Sequence, residues 1–435
     1  MKRLTRKRLE FDTIDNSPIR KSAPAMPLFL EPTRIEGVLE MTTTRRNFLA
    51  TAGAVGAMAP FLRATDKSGS RYPILGEGDH KYECIHDWGE LPSNIKYGNT
   101  HSVCEDAQGH IYVHHTVYKD SPSPDSVVVF DEKGKFVRSW GPQFKDGAHG
   151  MHLRKEGKVE YLYFCDEKHG IITKRTLKGE EVWTIGYPQN SPIYQKGPGS
   201  TGPGGPAGLN YRPTNIAIAP NGDFWVGDGY GSYYMFHYSV ASPTAYPKLV
   251  NVFGGPAPTP APAGGRGVGR GGGGAAAAAG GAPAAAPAAP APRPPAPIDQ
   301  MNNPHGNMVD LRDPDKPVLL VADRGHNRIV RYTLDDKPID IIDGTRQPCH
   351  FHEYKGSVVV PDLAGPVHIL DKDNKVVVSM GGGKEGNPPR TTDDRSKFVP
   401  GQFVNPHGAI FDHNGNIFVA EWVEIGRVTK LRKVA

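Results

Sequence analysis

The sequence predicts an all-β protein folded as a six-bladed β-propeller, and three observations indicate this fold. First, a unit of about 40 to 50 residues recurs six times along the chain. Second, each unit holds about four apolar runs of strand length, separated by turn dipeptides such as Asn221-Gly222 and Asn414-Gly415. Third, no segment of ten or more residues after Pro60 shows the periodicity of a helix. Because radial closure protects sheet edges, such a repeat favours a propeller.

The six units share an entry turn, a strand, a turn and a second strand that ends near an acidic residue. They begin at Thr100 (THSVCED), Ala148 (AHGMHLR), Pro213 (PTNIAIA), Pro304 (PHGNMVD), Pro348 (PCHFHEY) and Pro406 (PHGAIFD). Further strand-like runs follow in most units, which gives about four strands per blade. We therefore assign residues 75–435 to the propeller.

One segment, residues 254–298, interrupts the repeat between the third and fourth blades. It consists almost entirely of Gly, Ala and Pro and holds almost no side chain that could form a core. We predict a disordered low-complexity insertion within the propeller.

The N-terminal region predicts export. Arg45-Arg46 is followed by Phe48-Leu49 and by a small-residue apolar run to about Met58, with an A-x-A-like site at 57–59. This pattern is typical of a twin-arginine signal peptide, which we place at residues 41–65. Residues 1–40 are a disordered extension or result from a mis-called start, since Met41 directly precedes the signal. We expect the twin-arginine (Tat) export machinery as a partner and a periplasmic or secreted location.

Composition excludes several other classes of protein. The 435 residues are 37% hydrophobic, and the net charge is only +5, with much of the basic excess in the first 50 residues. We expect no nucleic-acid surface. The apolar N-terminal run is too short and too rich in Ala and Gly for a stable membrane span. The four cysteines form no CxxC pair, so we expect buried free thiols.

Histidine recurs at one position of the repeat, directly before the innermost strand. In a propeller, residues at this position converge on the central axis. The six residues are His101, His149, Thr214, His305, Cys349 and His407. Several imidazoles on one axis suit zinc, and also iron or copper. Three histidines around Zn²⁺ leave the fourth coordination position open for substrate. The alternative is that the histidines only form hydrogen bonds with the backbones of the blades in a water-filled channel.

A second position, at the end of the second strand, holds His115, Asp166, Asp228, Asp323, Asp362 and Glu421. Most of these side chains are expected to be structural hydrogen-bond acceptors. Tyr230 follows Asp228 by two residues, and Arg324 directly follows Asp323. Both could face the mouth that holds the histidines, where a tyrosine beside a metal and an arginine can act as a base.

Three parts of the sequence resemble the peptidyl-α-hydroxyglycine α-amidating lyases, a family of six-bladed NHL-type propellers. They are YRPTNIAIAPNGDFWVGDGYGS, the pair NNPHGNMVD and VADRGHNRIVRY, and FVNPHGAIFDHNGNIFVAEW. The resemblance covers roughly residues 95 to 432, apart from the insertion. It implies zinc held by His149, His305 and His407, Tyr230 as general base and Arg324 as an active-site arginine. The implied reaction cleaves a C–N bond to release an amide and glyoxylate.

The sequence departs from this family at several positions. His115 aligns with the family's second catalytic arginine. Gly408 stands where the family has an acid that helps to bind calcium, which argues against calcium here. Tyr211 and Gly231 replace two cysteines, so that disulfide is absent. His101 is an additional histidine, and a set of four histidines suits non-haem iron as readily as zinc.

Three functions therefore remain open from the sequence. The first is a metal-dependent, lyase-like enzyme acting on a small-molecule or peptide substrate in the central channel. The second is a non-catalytic NHL-repeat propeller that binds a protein or saccharide. The third is a four-histidine iron enzyme or a gluconolactonase-like hydrolase, although lactonase sites use acid and Asn ligands.

Overall fold

A computed structural model describes residues 71–194, 211–256, 295–383 and 387–434. The predicted extension (1–40), the predicted signal peptide (41–65) and most of the predicted insertion (254–298) lie outside the described residues. In the described part of the chain, no helix is long and apolar enough to cross a membrane.

The described residues form six antiparallel sheets, as predicted for a six-bladed propeller. Blade one contains β3 (Thr100–Glu105), β4 (Ile111–His115), β5 (Val127–Phe130) and β6 (Phe136–Trp140); blade two contains β7 (Ala148–Glu156), β8 (Val159–Asp166), β9 (Ile171–Thr176) and β10 (Glu181–Ile185). Blade three contains β11 (Ile216–Ile218), β12 (Phe224–Gly227), β13 (Tyr234–Ser239) and β14 (Lys248–Gly254); blade four contains β15 (Pro304–Asp310), β16 (Val318–Asp323), β17 (Arg328–Thr333) and β18 (Pro338–Ile342). Blade five contains β19 (His352–Tyr354), β20 (Ser357–Pro361), β21 (Val367–Leu370) and β22 (Val376–Met380).

The sixth blade is built from both ends of the described chain. It contains β23 (Pro406–Phe411), β24 (Ile417–Glu421) and β25 (Arg427–Lys433), joined by β2 (Tyr82–Ile85) and β1 (Ile74–Leu75) in the order β1-β2-β25-β24-β23. Antiparallel pairing of β2 with β25 closes the ring. The sequence predicted four strands in each blade, whereas this blade has five.

The only helices in the described ranges are three short 3₁₀ turns, at Pro142–Phe144, Arg324–His326 and Arg395–Lys397. The prediction that no long helix follows Pro60 holds for these ranges.

Hydrophobic residues are buried between neighbouring blades. Six apolar clusters correspond to the six seams of the ring. At the seam between blades one and six, for example, Val113 and Val128 pack with Ile410 and Phe418. Burial of apolar surface at each seam holds the blades together. All four cysteines are buried and unpaired, as predicted.

Candidate metal centre

A β-bulge marks each of the four innermost strands that carry an axial histidine. The register of pairing shifts at Thr100/Ser102, Ala148/Met151, Pro304/Asn307 and Pro406/Gly408. In each case the histidine lies inside the bulge, and so within the innermost strand rather than before it as the sequence predicted. Bulges redirect a side chain away from the normal alternation of a strand, and they are common beside functional sites. The bulges therefore explain why these histidines can turn toward the channel.

Three histidines from alternate blades have the same hydrogen-bond pattern. Nδ1 of His149, in blade two, lies 2.5 Å from the carbonyl oxygen of Thr214 in blade three. The equivalent partner of His305, in blade four, is the Cys349 carbonyl oxygen at 2.9 Å. His407, in blade six, pairs in the same way with the His101 carbonyl oxygen at 3.0 Å. A carbonyl can only accept, so Nδ1 carries the proton and Nε2 keeps a free lone pair.

The glycine after each of these histidines permits this contact. A Cβ on Gly150 would lie 2.5 Å from the Thr214 oxygen, and one on Gly306 or Gly408 would lie 2.4 Å from the Cys349 or His101 oxygen. These are the same three carbonyl oxygens that accept the Nδ1–H groups. The His-Gly dipeptide thus lets the backbone of the next blade approach closely enough to orient the imidazole.

The three rings lie close together on the axis. Ring centroids of His149, His305 and His407 are separated by 4.7 to 4.8 Å. All three are buried, and burial lowers the pKa of His149 to about 3 and the pKa values of His305 and His407 well below the ordinary value. The imidazoles are therefore neutral at neutral pH, which is the form that binds metal ions.

His101 has a different role in the hydrogen-bond pattern. Its ring centroid lies 4.9 Å from that of His149 and 4.6 Å from that of His407. However, Ser102 rather than glycine follows His101. The Ser102 hydroxyl donates a hydrogen bond of 2.8 Å to the carbonyl oxygen of His149. Nδ1 of His101 is buried with no hydrogen-bond partner among the described residues. Its backbone carbonyl positions His407, whereas its own ring is not oriented by a neighbouring blade.

Two groups of potential ligand atoms lie mutually within 4.8 Å in the described part of the chain. One comprises His101, His149 and His407, and the other comprises His305, Cys349 and His407, so neither group contains the full predicted set of His149, His305 and His407. Nε2 of His407 is also buried without a hydrogen-bond partner among the described residues. Since buried polar atoms are normally satisfied, this orphaned lone pair fits a metal ion. The donor set suits zinc or iron and does not decide between them.

Tyr230 and Arg324 lie beside this cluster. The Tyr230 hydroxyl is 3.4 Å from Nε2 of His149 and 3.2 Å from Nε2 of His305, and it accepts a hydrogen bond of 3.0 Å from Nη2 of Arg324. Burial raises the pKa of Tyr230, while the adjacent positive charge of Arg324 opposes that rise. The phenol is therefore protonated unless further positive charge approaches it.

Most residues at the end of the second strand form hydrogen bonds with the loop that leads to the axial position. Asp228, Asp323, Asp362 and Glu421 each accept a backbone N–H two or three residues before the axial residue of their own blade. His115 acts in the same way in blade one, because its Nδ1 accepts the N–H groups of Gly98 at 3.4 Å and Val117 at 3.0 Å. This geometry gives His115 a structural role.

The axial mouth opens into a cleft of about 520 Å³. Besides His101, His149, Tyr230 and Arg324, its lining includes Arg212, Arg390 and Trp422. The sequence analysis did not identify these last three residues. They come from inter-blade loops or from the end of a strand, where no repeat position marks them.

The other ends of the innermost strands surround a second cleft of about 280 Å³. It is lined by His152, His350 and His352, which the sequence analysis did not assign to a site. Burial lowers the pKa of His152 and of His350 to about 4 and that of His352 to about 3. In the described ranges these side chains do not bring three ligand atoms within 4.8 Å of one another.

Comparisons with protein-family models and with curated proteins find no match. Among solved structures, the chain is similar to virginiamycin B lyase from Staphylococcus aureus, at 12% identity over 81% of this chain and 100% of that chain, with a TM-score of 0.43. It is also similar to a gluconolactonase from Xanthomonas campestris, at 13% identity over 81% of this chain and 90% of that chain, with a TM-score of 0.42. An auxiliary nutrient-binding protein from Bacteroides thetaiotaomicron gives 11% identity, 85% and 78% coverage and a TM-score of 0.46. At these values the likeness carries no information about the chemistry of the site.

Proposed function

We propose that this chain is an exported, metal-dependent, lyase-like propeller that cleaves the C–N bond of an α-hydroxyglycine-type substrate. The observation that carries the proposal is the set of three neutral imidazoles from blades two, four and six. Each has Nδ1 occupied by a carbonyl of the next blade, and Nε2 of two of them faces the hydroxyl of Tyr230. His149, His305 and His407 would hold zinc, as the family resemblance implies.

The chain's own residues can carry the proton transfers of this reaction. Zinc, when bound, supplies Lewis-acid polarisation of a substrate oxygen. As the base, Tyr230 would act as a phenolate that Arg324 stabilises through the existing 3.0 Å hydrogen bond. The phenolate accepts the proton of the substrate hydroxyl and becomes the neutral phenol. As the C–O bond becomes a carbonyl, the C–N electron pair returns to nitrogen. The same proton then passes from Tyr230 to nitrogen, which gives an amide and glyoxylate.

Elemental analysis and a glyoxylate-release assay on a hydroxyglycine-extended peptide test this proposal. We expect about one zinc per chain and glyoxylate formation in the purified protein. The substitution His305→Ala should remove both, and Lys133→Ala, on an exposed turn of blade one, should change neither. Zinc without glyoxylate release would overturn the proposed reaction, and protein without any metal would overturn the enzyme itself.

A non-catalytic propeller that binds a protein or saccharide is the second candidate function. The fixed, structural position of His115 favours it, because the second catalytic arginine of the resembling family has no functional replacement at that position. The proximity of the His101 ring favours the remaining candidate, a four-histidine iron enzyme. Iron in place of zinc in the elemental analysis would select it.

Export by the twin-arginine route to the periplasm or beyond is also part of the proposal. Replacing Arg45 and Arg46 by Lys should retain the protein in the cytoplasm when cells are fractionated. Unchanged export of that variant would exclude this route.

A further inference from the structure

Two guanidinium groups in the axial cleft lack carboxylate partners among the described residues. The other charged groups that line the cleft are paired: Arg212 with Glu167 at 2.6 Å, and Asp146 with Lys168 at 2.8 Å. In the described part of the chain, the hydrogen-bond partners of the Arg324 guanidinium are the Tyr230 hydroxyl and, at 3.7 Å, the Cys349 sulfur. The lining of the cleft therefore keeps two positive charges that nothing described there neutralises.

Arg390 is held in a fixed position at this cleft. Its guanidinium carbon lies 3.8 Å from the ring centroid of Trp422, which places the guanidinium over the indole. The backbone on both sides is fastened, because Glu424 N–H donates to the Arg390 carbonyl at 2.8 Å and Trp422 N–H donates to Asn405 at 2.8 Å. A stacked guanidinium uses its face for the ring and keeps its N–H edge available for an oxyanion.

A half-buried guanidinium without a counter-ion is electrostatically costly, and two in one cleft repel each other. A ligand with two acidic groups would remove both costs. The planar N–H fork of arginine also matches a carboxylate in bidentate geometry. Arg390 lies in the loop between blades five and six, whereas Arg324 follows β16 of blade four. Two separate parts of the ring thus supply the two positive charges.

We propose that the axial cleft binds a dicarboxylic ligand, with one carboxylate at Arg324 beside the histidines and the other at Arg390 on Trp422. The inference deepens the proposed function, since it makes the substrate an α-hydroxyglycine-type acid that carries a second carboxylate at its other end. The Arg390–Trp422 pair is then the group that selects this substrate over monoacids.

Calorimetric titration with simple acids tests the subsite without turnover. The probes are malonate, succinate, glutarate and adipate, with butyrate as the monoacid, and each is titrated into metal-free and zinc-loaded protein. At least one diacid should bind about tenfold more tightly than butyrate. The substitution Arg390→Met keeps an aliphatic stem over Trp422 and removes the charge. It should abolish the preference for the diacid and leave butyrate binding within about twofold. Arg432→Met, on the exposed part of β25, is the matched control and should retain the preference.

Equal binding of every diacid and butyrate by the wild-type protein would overturn the inference. An equal loss of diacid and butyrate binding in Arg390→Met would also overturn it, because the arginine would then act on fold or on general charge. Failure of this inference is distinguishable from failure of the proposed function. Diacid preference is measured in metal-free protein, whereas the lyase proposal is tested by zinc content and glyoxylate release.

Discussion

Nδ1 of His305 lies 2.9 Å from the carbonyl oxygen of Cys349, one blade further around the ring. The contact exists because Gly306 has no side chain, since a Cβ there would lie 2.4 Å from that oxygen. The same arrangement occurs at His149 and His407, so even-numbered blades supply imidazoles and odd-numbered blades supply the carbonyl oxygens that orient them.

Gly306→Ala should weaken metal binding without removing a ligand. The new methyl group must push the Cys349 carbonyl away, which frees His305 to rotate or change tautomer. We expect a loss of about ten- to a hundredfold in zinc affinity, measured by competition with a chelator. Gly186→Ala is the control, because its Cβ would meet nothing closer than 4.0 Å. Equal zinc affinity in Gly306→Ala and wild type would contradict this explanation of the His-Gly dipeptide.

His101→Ala and His407→Ala should differ in their effect on bound metal. Both rings are buried, but only His407 has a carbonyl partner that directs Nε2 inward. We expect His407→Ala to lose the metal and His101→Ala to retain about one ion per chain by elemental analysis. Complete loss in both variants would instead indicate a four-histidine site and would favour iron.

Tyr230→Phe should separate binding from chemistry. The phenol contacts two imidazoles and Arg324, and its removal leaves the three carbonyl-oriented histidines in place. Metal content should stay at the wild-type value, while kcat for glyoxylate release should fall about 10² to 10⁴-fold. A variant that kept near-normal kcat would exclude Tyr230 as the base.

The metal-free protein should lose stability as the pH falls from about 6.5 toward 4. Burial lowers the pKa of six histidines to about 3 or 4 in the folded state: His114, His115, His149, His152, His350 and His352. In the unfolded chain these groups take up protons near pH 6.5, so acid favours unfolding. Their contribution to stability is complete above pH 6.5 and is lost toward the folded-state values.

Urea unfolding of the metal-free protein at pH 7, 6 and 5 measures this loss. Each additional proton bound on unfolding lowers the free energy of unfolding by about 1.4 kcal/mol per pH unit. His413→Gln is the control, because Glu105 raises the pKa of that exposed imidazole and its removal should not flatten the slope. An unfolding free energy that stays constant between pH 7 and 5 would contradict the prediction.

The ring of blades and its axial histidines could be predicted because both depend on a position repeated along the chain. The sequence also distinguishes His149, His305 and His407, which precede glycine, from His101, which precedes Ser102. Only the contacts with carbonyl oxygens of the next blade explain that difference in physical terms. Closure of the sixth blade by β1 and β2 was not predicted, since the pairing joins residues more than 340 positions apart. Arg390 and Trp422 were missed because their approach depends on loop geometry that no repeat encodes.

Blades two, four and six each supply one of the axial imidazoles, and this arrangement affects how the ring of blades would unfold. A metal ion bound by these three imidazoles would connect each seam, directly or through one neighbouring blade, to the same centre. Removal of the ion by a chelator would therefore destabilise all six seams together rather than unfold one blade. The free energy of unfolding would rise with the logarithm of the free concentration of that ion.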